Sequence, residues 1–211
     1  MRIYRYILPY DGGTAPNPFD GVCTLAICKP AIRRAAAIGD WIMGFHAAPM
    51  ERGHVIYAMQ VDEILTFAEY WRDPRYAKRK PSSANSYPDN IYKLILQADG
   101  TPSLQQVRND VHGPSHAVTD LSGKRVLVSR RFWYFGSGSA EADKCLAPDL
   151  MHLAPTTQGH VVNAHRKPDD VQHVAAWLEH FPQGLQGTPQ AKHGGACISC
   201  DKETRKVPPV C

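Results

Sequence analysis

Residues 54–65 read HVIYAMQVDEIL, and the alternation in this stretch decides the fold class. Val55, Tyr57, Met59 and Val61 fall on one face of an extended chain, and His54, Ile56, Ala58 and Gln60 fall on the other. This is strand periodicity. The stretch runs straight into TFAEYW, where Thr66 and Glu69 have capping-box spacing, so a short helix opens there and Asp73-Pro74 closes it. Strand and short helix as direct neighbours point to a mixed α+β chain.

The same pattern extends in both directions. Upstream, RIYRYIL (2–8) is a period-two strand, DGGTAPNPFDG is a loop, and VCTLAI (22–27) is a short buried strand. Pro30 opens an alanine-rich helix that Gly39 ends, and Gly39-Asp40 turns the chain into the strand WIMGF. Downstream, residues 81–120 are rich in Pro, Ser, Asn, Asp and Gly, which predicts irregular structure with one short strand near IYKLIL. KRVLVSRRFWYFG (124–136) reads as two strands joined at the arginine pair. A last helix fits 168–181, with Val171, Val174, Ala175, Leu178 and Phe181 as its apolar stripe. Strands separated by short helices, without regular β-α alternation, predict a small, mostly antiparallel β-barrel with helical insertions. One domain over 1–183 followed by a loosely ordered Gly/Pro/Cys-rich tail over 184–211 is expected.

Hydrophobic residues are 43% of the 211, enough for a core and too many for a disordered chain. No apolar run approaches the roughly 18–20 residues of a membrane span. The N-terminal apolar stretch is too short and Tyr-rich for a signal peptide, so a cytoplasmic protein is expected. The sequence lacks G-x-x-x-x-G-K-[ST], G-x-G-x-x-G after a strand, H-E-x-x-H and G-x-S-x-G, which leaves a nucleotide triphosphatase, a dinucleotide oxidoreductase and an α/β-hydrolase poorly supported. Gly136-Ser137-Gly138 reads as a flexible turn.

Net charge is +4, and the basic residues cluster. Arg72, Arg75, Lys78 and Arg79 lie in RDPRYAKRK, beside the aromatic pair Tyr70-Trp71. Arg130 and Arg131 join two strands, and Arg33-Arg34 sit on the first helix. Each cluster can be a solvated face, but three together suit a phosphate-contacting surface, with nucleic acid or a nucleotide as partner.

The densest set of chemical groups runs from Asp11 to Trp41. Asp11 and Asn17 can read a base edge, Phe19 can stack on it, and Lys29, Arg33 and Arg34 can hold phosphate. Thr24 and Trp41 belong to the same binding set, and Asp40 is a candidate for moving protons. Cys23 is a candidate nucleophile without an identifiable base. The competing reading is a proline-packed loop in which Asp11 and Asn17 cap turns and Cys23 fills core. Phe132-Trp133-Tyr134-Phe135 places rings on both faces of a strand, one building core, the other needing cover, for which a stacked base is one option. His112, His116, His152, His160 and His165 lie in irregular segments and could supply a general base or a metal site, but their spacing matches no established ligand pattern, and a surface or hydrogen-bonded structural role is the alternative for each. In the tail, His193, Cys197, Cys200 and Cys211 offer the soft ligands of a tetrahedral zinc site; a reducible loose tail is the alternative.

APNPFDGVCTLAICKPAIRRAAAIGDWIMGF, VIYAMQVDEILTFAEYWRDPRY, DNIY (89–92) and RVLVSRRFWYFGSG together resemble the nucleotide-modification-associated domains, in particular their second type. The likeness covers about residues 2–138, and QGHVVNAHRKPDD resembles the family's closing segment. It implies a role beside the base-hypermodification systems of phages and bacteria, with no assigned catalytic mechanism. The strand pattern also looks like PUA-type barrels, which bind RNA or flipped, modified bases; that likeness is one of fold alone. Where the resemblance implies paired histidines before the strand at 126, this chain has VHGPSHAVTD. The resemblance thus implies a base- or nucleotide-directed protein acting in DNA modification or in recognising modified bases. A non-catalytic reader and a nucleotide-sequestering protein are the alternatives.

Overall fold

The framework is a pair of long strands that bend together. In the computed structural model, which describes residues 1–46, 52–156, 160–163 and 167–190, the HVIYAMQVDEIL stretch divides into β4 (Val55–Gln60) and β5 (Glu63–Thr66). KRVLVSRRFWYFG divides likewise into β8 (Arg125–Ser129) and β9 (Arg131–Tyr134). β4 pairs antiparallel with β9, and β5 with β8, so both strands leave one sheet and enter a second at the same corner. Asp62 fastens that corner. Its carboxylate accepts from the Arg130 backbone N–H at 2.6 Å and from the Arg130 guanidinium at 3.2 Å, while its own N–H donates to Val128 O.

The remaining strands assemble around this corner. β1 (Ile3–Ile7), β2 (Cys23–Leu25) and β3 (Trp41–Phe45) precede it, and β6 (Tyr92–Leu96), β7 (Pro102–Gln106), β10 (His160–Asn163) and β11 (Gly184–Leu185) complete the set. A six-stranded sheet has the order β10-β1-β3-β4-β9-β11, a three-stranded sheet the order β2-β8-β5, and β6-β7 form a separate hairpin. Pairing is mostly antiparallel. The exceptions are β1 with β3 and β11 with β9, which run parallel. Residues 8–40 carry the crossover between β1 and β3, including β2 and helix α1 (Pro30–Ala35).

Alternation along the bent strands sorts three apolar clusters. Trp41, Ala58, Trp133 and Phe135 face α4 (Asp170–Leu178), which supplies Val171, Val174 and Leu178. Tyr4, Tyr6, Ile42, Tyr57, Met59, Leu127, Phe132 and Tyr134 fill the space between the sheets. Val126 and Val128 back onto Phe67 and Tyr70 of α2 (Phe67–Arg72), with Tyr76, Ile91 and Tyr92. Both faces of the FWYF run are therefore covered by protein, the second by α4 and Phe181 rather than by a stacked base. The expected period breaks at Ile56, which shares the Tyr57 face because the register shifts between Gly44 and Phe45, a bulge.

The capping box is present: Thr66 accepts from Glu69 N, and Glu69 accepts from Thr66 N at 2.7 Å. Two elements exceed the expectation for 81–120, namely β7 and α3 (Ala117–Leu121). The segment 184–190 is also not a loose tail. β11 adds to the edge of β9, Ser137 N donates to Thr188 O, and the Gln190 side-chain amide donates to Gly136 O and Ser139 Oγ. No helix among the described residues is long and apolar enough to cross a membrane.

Candidate functional site

The loop carrying Asn17 and Phe19 and the loop after the RDPRYAKRK run face each other across a cleft of about 490 Å³. Asn17, Phe19, Asp20, Lys78, Arg79 and Tyr87 are among its walls. Phe19 lies against Tyr87 with centroids 4.5 Å apart and planes at 23°. Both loops are pre-built. Asn17 Nδ2 donates to Tyr87 O, and Asn85 donates to Lys78 O and Lys80 O, so the amides of the turn residues tie the walls. Beneath them Arg79, 2% exposed, reaches Thr24 Oγ1 at 2.7 Å, Val22 O at 2.9 Å and Phe19 O, with the Asp89 carboxylate 3.6 Å away. Thr24 in turn donates to Asp89, as does Tyr70 Oη at 2.9 Å. Arg79 Nε is buried with no partner among the described residues. The cleft thus has aromatic rings, the exposed Lys78 and Asp20, and the buried Arg79 in its walls.

Other expected site residues lie elsewhere. Asp11 is buried, accepting from Tyr134 Oη and from Gln190 N, and burial holds its carboxyl above the ordinary range despite those donors. Asp40 accepts from Arg2 N at 2.7 Å and Ala37 N at 3.0 Å, which makes it the tie of the turn before β3. Trp41 lies fully inside the core, stacked on Trp133. Cys23 is fully buried, and burial pushes its thiol up, the wrong direction for a nucleophile. Arg33 is a buried clamp: its guanidinium donates to Cys28 O at 2.7 Å, Arg125 O at 2.8 Å and Asp120 O, and burial draws its pKa down to about 10. Arg34 donates to Ser122 on the surface, and Lys29 rests over the Tyr6 ring at 4.5 Å.

The basic run is dispersed in the same way. Arg75 is held by Glu63 and Asp73, Arg130 by Asp62 and Glu63, and Arg131 by Glu179 while it lies over Trp41 and Trp133. Arg72 and Lys78 remain exposed. His193, Cys197, Cys200 and Cys211 lie outside the described residues, as does His165.

A second cluster was not legible from the residues. Cys28, His112 and Asp120 are each no more than 5% exposed, and their ligating atoms lie within 4.8 Å of one another. Cys28 stands 84 residues from His112, so no local spacing announces the pair. The available signal was Cys28 at the junction of a buried strand and a Pro-initiated helix, a place where backbone turns sharply.

The site is thus a cleft walled by aromatic and charged side chains on a strand-bent α+β fold. The chain belongs to the nucleotide modification associated domain 2 family, whose model matches residues 1–195. No curated protein and no solved structure gives a match.

Proposed function

We propose that the protein is a base- or nucleotide-directed component of nucleotide modification and holds its ligand in the cleft between Phe19 and Lys78. The observation that carries this reading is the Phe19–Tyr87 stack in the wall of a cleft that Lys78 and Arg79 also line. A base can extend such a stack, and Lys78 meets a phosphate. The corner shared by β4-β5 and β8-β9 supports reading the two sheets as a PUA-like barrel, a frame that presents loops to a flipped base.

Titration with deoxynucleoside monophosphates and with a short single-stranded oligonucleotide, followed by calorimetry, tests the cleft. Phe19→Ala is expected to weaken binding about fivefold or more, since stacking is worth about 1–3 kcal/mol per base. Lys78→Glu is expected to weaken it further at low salt. A parent protein that binds neither probe, or a Phe19→Ala variant that binds like the parent, overturns the reading.

A further inference from the structure

Cys28, His112 and Asp120 stand in the order of a nucleophile, a base and an orienting carboxylate. Cys28 Sγ lies 3.5 Å from His112 Nε2, and His112 Nδ1 lies 2.7 Å from Asp120 Oδ2. Asp120 is itself fixed. Its Oδ1 accepts from Cys28 N at 2.8 Å, and its Oδ2 also accepts from Tyr92 Oη at 2.9 Å. A carboxylate receiving these donors fixes the imidazole with its proton on Nδ1, which leaves Nε2 as an acceptor turned to the thiol. The ring is placed from behind as well, since His112 N donates to Asn109 Oδ1 and Gln106 Nε2 donates to His112 O. Cys28 occupies the turn between β2 and α1 with φ +57°, and Lys29 follows with φ +40°. Two successive non-glycine residues in left-handed backbone are costly, and the Asp120 and Arg33 hydrogen bonds are what hold them. Among the described residues, the charged and titratable groups facing the thiol include His112, Asp120, Arg33, Tyr6 and Tyr92.

We propose that Cys28 is a nucleophile, with His112 as its base and Asp120 as the positioning residue, acting on an ester or amide carbonyl carried on a slender group. Cys28 is 5% exposed, so the electrophile reaches Sγ on the end of a narrow substituent and not on the face of a polymer. His112 Nε2 takes the Sγ proton, the thiolate bonds to the carbonyl carbon, and the C–O or C–N bond breaks as His112 returns the proton to the leaving group. Water then adds to the thioester, gives its proton to His112, and the acid leaves as Sγ regains a proton. The balance is hydrolysis, with no oxidant or reductant. Among the described residues, with Nδ1 held by Asp120, Sγ and Nε2 are the atoms of the three left to ligate a metal ion, two short of a closed zinc site.

The inference stands apart from the cleft. A chain that binds no nucleotide and still acylates Cys28 separates the two. The full chain is treated with p-nitrophenyl acetate. The expected result is a burst of about one nitrophenolate per chain, with acetyl on Cys28 in the peptide map, absent from Cys28→Ser. His112→Gln, which leaves the thiol in place, is expected to slow acylation by about 100-fold or more. Iodoacetamide labelling of the parent protein needs no variant to fold: Cys28 is expected to react faster than the half-buried Cys145, and at a pH below the ordinary thiol range of about 8.5. Cys28 labelling slower than Cys145, or acetyl only on lysines, overturns the proposal. So does co-purified zinc that disappears in Cys28→Ser, which would make the cluster a metal site.

Discussion

Asp11, Arg33 and Cys28 show how far a residue's type can mislead about its work. Asp11 is legible as important and polar, but its partner Tyr134 lies 123 residues away, and nothing nearby in the sequence announces that it is buried. Arg33 looks like a phosphate ligand and is consumed by backbone carbonyls; a Cβ on Gly123 would run into its guanidinium, so even the neighbouring glycine is explained by it. The burial of Asp11 has a measurable sign. Its folded carboxyl is raised above the ordinary 3.8, so the protonated folded state is favoured. That contribution is complete below the unfolded value and is lost as pH rises through the folded value. Asp11→Asn removes the slope, and its melting temperature should therefore gain on the parent's as pH climbs from about 4 towards 7. Parallel melting curves across that range would show that Asp11 ionises as freely inside the fold as outside it.

Among the elements, those with local signals were legible: the Thr66–Glu69 box, the Pro30 start, the arginine break between β8 and β9, and the apolar stripe of α4. β7 was not, because PSLQQ is polar, begins with proline and is a strand only by virtue of pairing with β6. The 184–190 strap escaped for a similar reason, since Gly187 is there to permit contact. A Cβ on Gly187 would meet Phe135 O, and one on Gly136 would meet Thr188 O. Glycine-rich sequence usually signals freedom; here it signals two backbones pressed together. Gly187→Ala is accordingly expected to release the strap while leaving the central strands in place. Hydrogen exchange should show faster exchange at Gln186 and Gly187, whose N–H groups donate to Tyr134 O, with little change in β3 and β4. Equal protection in the variant and the parent would mean that the close approach is not what holds the strap.

For the whole molecule, α+β class and mostly antiparallel pairing followed from period and punctuation, whereas the parallel neighbours β1 and β3 did not, since alternation carries no direction. Three apolar clusters could suggest three melting units. The bent strands argue otherwise, because β8 contributes Leu127 to one cluster and Val126 and Val128 to another, and β9 links two. A single cooperative transition is expected, with near- and far-ultraviolet circular dichroism superimposing; separate midpoints would detach the three-stranded sheet as its own unit. The place of β1 has a further consequence, for the order of events during synthesis. Its first partner, β3, emerges some 38 residues later, but the strand on its other side, β10, pairs Ile3 with Asn163. At about 5–20 residues per second, the ribosome delivers that second neighbour many seconds after the first. Throughout the interval β1 has one open edge, so the nascent chain has to carry a template for unwanted strand addition until β10 has been made.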